Sequence, residues 1–235
     1  MSHPLDRPVW SALTSERQAS LAVGADGALR FAPGYGVFAA SVDQSPESLA
    51  AMAVLERPEG IIATVEAVAP PLPPGLVALK EATLAQMVLV ELTPAKARDI
   101  MIEPLTEADA PAMRALAALT EPGPFFDRTH QLGGFFGVKQ DGRLMAMAGE
   151  RMKPDGFTEV SGVCAHPDAR GRGYAGALMR TVIEQIPGAR RDGLPAFLRR
   201  QRRGHRPLSR PGFRGAQQNG DEDVRLGGNL NGRAA

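Results

Sequence analysis

The run FTEVSGVCAHPDARGRGYAGALMRTVIEQI, residues 157–186, decides the fold. Its first part, Phe157 to Ala165, is rich in β-branched and small residues and reads as a strand. His166 to Arg172 is a polar turn that carries Pro167, Asp168 and Gly171. From Gly173 onward, Ala175, Leu178, Met179, Val182, Ile183 and Ile186 recur at the spacing of one helical stripe. Pro187-Gly188 ends that helix.

A strand, a glycine-rich turn and a helix start together make an anion site. The first N–H groups of a helix have no partner inside it, and the helix dipole adds partial positive charge there. Gly171 and Gly173 let the backbone come close to an anion. Arg170 and Arg172 add charge and forked donors that suit phosphate oxygens. The ligand expected from this arrangement is a di- or triphosphorylated small molecule.

Val163-Cys164-Ala165-His166-Pro167, followed by Arg170-Gly171-Arg172-Gly173-Tyr174-Ala175, resembles the acetyl-CoA motif of the GNAT superfamily of N-acetyltransferases. The family pattern is Arg/Gln-x-x-Gly-x-Gly/Ala, and Arg170, Gly173 and Ala175 occupy its three specified positions. The resemblance runs from about Ile100 to Leu198. It implies acetyl-CoA as cosubstrate, bound through the turn Arg170 to Ala175. It also implies main-chain contacts from Val163, Cys164 and Ala165 to the pantetheine arm and the thioester carbonyl. Gly171-Arg172-Gly173-Tyr174-Ala175-Gly176 also satisfies the dinucleotide fingerprint G-x-G-x-x-G. That fingerprint needs a strand ending directly before its first glycine, and here 166–170 intervene. Asp192, at a plausible distance for a ribose-binding acid, sits in an Arg-Arg-Asp-Gly turn. The nicotinamide alternative is the weaker one.

The chain has 235 residues, 43% of them hydrophobic, enough for one large domain or two small ones. A net charge of +1 gives no global reason to invoke nucleic acid or membrane. The only cysteine, Cys164, lies in the proposed strand, so no intrachain disulfide forms and a reducing compartment fits. It reads as a small core residue rather than a nucleophile. The start has no secretory signal, and no apolar run approaches the ~20 residues of a membrane span. A cytoplasmic protein is expected.

Residues 1–97 read as an accessory α/β region. Pro4 to Leu21 holds a short helix, Ala28 to Ala32 and Val37 to Ser41 are strands, and Ser45-Pro46-Glu47 opens a second helix. Ile61 to Val68 is a strand, whereas Leu76 to Leu92 mixes both periodicities and stays unassigned. The boundary falls at Pro94 to Asp99. Residues 98–198 then give a strand at Ile100 to Leu105, and a helix capped by Thr106 with the stripe Met113, Leu116, Ala117 and Leu119. A hairpin around Asp141-Gly142 pairs Phe135–Lys139 with Leu144–Met152 and precedes the motif strand. The fold class is α/β with a mixed sheet. By resemblance it is a GNAT-type fold, incomplete at its C-terminal end.

An amine attacks a thioester directly if it loses its proton and the carbonyl oxygen meets donors as charge develops. Many GNAT members place a glutamate at the start of the motif strand. Glu159 holds that place, on the face of Ser161 and Val163 by simple alternation. It is the first candidate for the base, His166 is second, and Glu150 and Asp127 are weaker. No metal-ligand spacing is present. The family's general acid is a tyrosine in a later Leu-Tyr-x-x-Leu-Gly-Phe segment. Tyr35 and Tyr174 are the only tyrosines, and neither lies in such a segment. Residues 199–235 are basic, lack hydrophobic periodicity and are expected to be disordered. Read one nucleotide later, the codons of Gln201 to Arg214 allow the missing Asn-x-x-Ala-Ile-x-Leu-Tyr-x-x-Leu-Gly-Phe, so a frameshifted tail is expected. The reading is an N-acetyltransferase acting on a primary amine of a small molecule or peptide. A catalytically impaired CoA-binding protein is its alternative.

Overall fold

The hairpin signal at Asp141-Gly142 is where the main sheet is easiest to derive. Asp141 (φ 50°) and Gly142 (φ 75°) both adopt left-handed backbone, the conformation that lets a two-residue loop match strand twist. They join β7 (Phe135–Gln140) to β8 (Arg143–Glu150). β8 pairs in turn with β9 (Thr158–Ala165), the motif strand. The computed structural model describes residues 3–57, 60–89, 92, 99–187, 196–201, 216–217 and 224–230.

Two further strands come from the first half, β4 (Ile61–Glu66) and β5 (Val77–Leu89), and one from the second, β6 (Glu103–Leu105), at the far edge. The tail contributes β10 (Ala196–Gln201), β11 (Ala216–Gln217) and β12 (Val224–Leu230), strands in a stretch that looked irregular in the sequence. The order is β4-β12-β5-β10-β9-β8-β7-β6, with β11 on β5. Among the described strand pairings of this sheet only β9–β10 is parallel; the others are antiparallel. Residues 202–215, which would carry most of the frameshifted pattern, lie outside the described residues. So does most of the expected boundary, 93–98.

Two sequence expectations shift for physical reasons. β6 is three residues long rather than six, and Pro104 sits in it without an N–H, which an edge strand tolerates. Leu76 to Leu92 resolves into the 13-residue β5. Its alternation is blurred because Val77 and Leu79, on one face, are both more than half exposed.

Helices α3 (Ala110–Thr120) and α4 (Tyr174–Gln185) pack against strands β8 and β9. The Thr106 cap forms as expected: its backbone N–H and hydroxyl meet the Asp109 carboxylate at 2.9 and 3.2 Å. Met113, Leu116 and Ala117 are buried, but Leu119 is 54% exposed. Leu119 is six positions after Met113, about a third of a turn off the stripe. On α4, Leu178, Val182, Ile183 and Ile186 form the buried stripe, and Met179 packs beside it.

The first half also holds α1 (Pro8–Thr14), α2 (Pro46–Ala53) and a small sheet of β1 (Ala22–Ala25), β2 (Ala28–Phe31) and β3 (Ala39–Ser41). Ser45 caps α2, its hydroxyl accepting the Ser48 N–H at 3.2 Å. Val9, Leu13, Phe31 and Phe38 share one core cluster with Leu132 and Met152. The first half therefore packs against the strands that lead into the motif.

Candidate active site

β9 and β10 run side by side for a short distance only. Ala196 pairs with Thr158 and Phe197 with Glu159, and the ladder stops there. From Val160 to Ala165 the β10-facing edge of the motif strand has no partner in that ladder. Among the described residues no strand pairing takes up the backbone donors and acceptors of that edge, the kind of edge along which an extended ligand can lie. Immediately beyond, Gly171 (φ 79°) and Gly173 (φ 85°) take left-handed backbone, and Gly173 caps α4. A side chain at Gly171 or Gly176 would meet nothing within 4 Å, so space lies over the turn. Arg170 and Arg172 are exposed there. Arg172 Nη1 donates to Gln140 Oε1 at 3.2 Å, and Gln140 Nε2 donates to the Tyr174 hydroxyl at 3.1 Å. The strand edge, the turn and the helix start thus form one continuous surface.

Gly162 adds a bulge. Met147 pairs with Cys164 and Gly149 with Ser161, so β9 holds one residue more than β8 between those pairs. Gly162 takes the left-handed conformation this needs, at φ 63°. The bulge overturns the simple alternation read from sequence. Ser161 lines a small concavity with Phe135, whereas Val163 packs with α4 on the opposite face. The concavity is closed by the turn 122–125 and by Arg151.

Glu159, the first candidate for the base, is 1% exposed. Its oxygens occupy a fork of Arg151: Nε donates to Oε2 at 3.0 Å and Nη2 to Oε1 at 2.7 Å. The Arg151 guanidinium also lies 4.7 Å over the Phe38 ring. Behind it the buried Gln18 amide donates to Arg151 O at 2.7 Å and accepts from Lys153 N–H at 2.8 Å. Arg17 donates to Thr158 Oγ1 at 2.9 Å and to the Phe157 carbonyl. None of Arg151, Gln18, Arg17 and Phe38 was among the sequence candidates. A hairpin register across Lys153-Pro154-Asp155-Gly156 would have put Arg151 opposite Thr158, one residue short of the observed pairing with Glu159. Nothing local signals the contacts from Gln18, Arg17 and Phe38.

The other candidates have structural partners. His166 Nδ1 accepts the Asp168 N–H at 3.2 Å, and Arg143 Nη2 lies 2.8 Å from Nε2, so this ring shapes the motif turn. Glu150 pairs with Lys153 at 2.9 Å and Asp127 with Arg114. Burial pushes the Cys164 thiol up to about 11. The Tyr35 hydroxyl accepts from Arg128 Nη2 at 2.7 Å, far from any role in a later tyrosine segment. Among the described residues no group of three His, Cys, Asp or Glu can hold a metal ion. No described helix is long and apolar enough to cross a membrane.

Comparison with known proteins decides the family. Residues 97–199 match the acetyltransferase (GNAT) family. A GNAT-family acetyltransferase structure from Novosphingobium aromaticivorans is 36% identical, covers 98% of this chain and 100% of its own, and superposes with a TM-score of 0.81. The chain belongs to the GNAT family. A GCN5-related N-acetyltransferase from Kribbella flavida shares the fold at 18% identity, with 90% of this chain and 89% of that one covered and a TM-score of 0.59. No curated protein matches the chain. As the GNAT resemblance implied, the motif lies on a strand, a glycine turn and a helix start, in a mixed α/β fold.

Proposed function

We propose that this GNAT chain moves the acetyl group of acetyl-CoA to a primary amine on a small molecule or peptide. The observation that carries the reading is the parting of β9 from β10 beyond Glu159, directly before the turn with its two left-handed glycines. Val163, Cys164 and Ala165 offer main-chain groups to the pantetheine arm and thioester carbonyl. Arg170, Gly171, Arg172, Gly173, Tyr174 and Ala175 form the phosphate cradle. Free amides there, the helix dipole and the two arginines all favour an anion. The concavity beside the Gly162 bulge is where the amine enters.

In the reaction the neutral amine attacks the thioester carbon. The C–N bond forms, the C–S bond breaks, and the sulfur leaves with the electron pair. The proton lost by nitrogen passes to water or to the departing thiolate. Glu159 enters this scheme through Arg151. A carboxylate with both oxygens held by a guanidinium is a poor base, but it fixes that guanidinium firmly. The impaired-enzyme alternative draws on the same fork, and on Tyr174, whose hydroxyl is bonded to Gln140 rather than free in the cleft.

The test is direct. The chain is incubated with acetyl-CoA and a panel of primary amines, and free CoA thiol is measured alongside acetylated amine by mass. Matched appearance of both supports transfer. Tight CoA binding without any acetylated amine supports the impaired alternative.

A further inference from the structure

Arg151 has one edge that Glu159 does not use. The carboxylate takes Nε and Nη2. Nη1 has no hydrogen-bond partner among the described residues, and a Cβ placed on Gly123 would lie 3.8 Å from it. Arg151 and Ser161 both line the concavity beside the Gly162 bulge, and the remaining walls are largely apolar, with Pro122, Pro124, Phe125 and Phe135 among them. The guanidinium is held on its other sides: Glu159 on one edge, Phe38 beneath at 4.7 Å, and Gln18 gripping its own carbonyl. A donor fixed this way beside largely apolar walls favours a ligand that brings an acceptor.

We infer that the free Nη1 edge of Arg151 is the subsite for a carboxylate on the acceptor, so that the acceptor is an amino-carboxylate. This rests on the transferase reading above. The amine would sit at Ser161 and Gly162, and the carboxylate a few bonds away on Arg151. An amine without that carboxylate leaves this fixed donor to water and forgoes a charge-assisted hydrogen bond, and that difference is the basis of selectivity. Pairing with Glu159 leaves Arg151 with little net field at long range, so recognition depends on the hydrogen bond and its geometry. Two sources share this chemistry: a free amino acid, or the first residue of a peptide with an acidic side chain.

The experiment uses the full chain with saturating acetyl-CoA and matched acceptors: free amino acids, their amides, and peptides beginning with Asp or with Asn. Direct binding of the same acceptors to the CoA complex is measured by calorimetry. The acids are expected to exceed their amides in kcat/KM by about ten- to a hundredfold. Arg151→Lys keeps a cation for Glu159 but removes the forked edge. It should collapse the acid-to-amide ratio while leaving CoA affinity unchanged. Because the ratio is taken within one protein, partial unfolding of the variant cancels. A preference for free acids over peptides beginning with Asp identifies the first source, and the reverse identifies the second. Equal use of acid and amide by the wild type overturns the inference, as does an unchanged ratio in Arg151→Lys. If acids bind selectively through Arg151 but no amine is acetylated, the subsite stands and the transferase reading falls. If no acid binds and none is acetylated, the subsite is refuted.

Discussion

Arg151 and Glu159 sit opposite each other where β8 hands over to β9, joined by two hydrogen bonds of 3.0 and 2.7 Å in a place where Glu159 is almost wholly buried. Removing one partner of such a pair leaves a buried charge behind, which typically costs about 3–5 kcal/mol. Glu159→Gln keeps the shape and some hydrogen bonding but loses the charge. It is expected to lower the urea midpoint clearly and to weaken acceptor KM. A general base would instead leave stability alone and depress kcat by about 10²–10⁴-fold with an altered pH profile. Measuring stability and the pH dependence of kcat on one preparation separates the two roles.

Gly149 lies against the Phe135 ring, and a Cβ there would come within 2.4 Å of it. Gly149→Ala is expected to destabilise the fold by about 1–3 kcal/mol, the usual cost of overpacking. Phe135 also lines the acceptor concavity, so acceptor KM should move with stability while CoA affinity holds. A denaturation curve that matches the wild type contradicts this packing.

Cys164 offers a pH test. Its thiol is raised to about 11 from 9.0 by burial against α3 and β8. The folded protein keeps the thiol neutral while the unfolded chain ionises it. The sign follows: the contribution to stability is complete below about 9 and is lost as pH rises through the folded value. Between pH 8 and 10.5 the urea midpoint should fall more for the wild type than for Cys164→Ala. In the native protein at pH 8 the thiol should also resist alkylation. Stoichiometric labelling within minutes, without loss of structure, counts against the burial.

Gln18 ties the first half of the chain to the site. Gln18→Ala removes the bonds to Arg151 O and Lys153 N–H, leaving two half-buried backbone groups without these partners. A loss of about 1–3 kcal/mol per unsatisfied group is expected. The change should reach acceptor kinetics through Arg151, whereas CoA affinity should stay put. An effect on CoA alone would contradict the arrangement.

The strand, glycine turn and helix proposed to hold the cosubstrate were legible in residues 157–186 because their signals are local. A strand, two glycines that need left-handed backbone and a periodic helix lie next to one another in the chain. The Thr106 and Ser45 caps and the Asp141-Gly142 turn were legible for the same reason. The acceptor half was not. The Gly162 bulge reverses the alternation that put Ser161 and Val163 on one face, and a lone glycine in a strand does not announce which way the chain will bulge. Gln18 meets Arg151 and Phe38 stacks under it across more than a hundred residues of sequence, with no periodicity to link them. β5 escaped because it carries apolar residues on both faces, and β12 because its Gly-rich sequence carries little alternation.

The central claim is that the parted strand edge and the glycine turn hold CoA. Calorimetric titration of CoA into the wild type, Arg172→Ala and Gly173→Asp tests it most directly. Loss of one charged phosphate contact should weaken binding by about 1.5–3 kcal/mol in Arg172→Ala. Gly173→Asp puts a carboxylate at the helix start, where it repels phosphate, and should weaken binding further. Wild-type affinity for CoA in both variants would contradict the account.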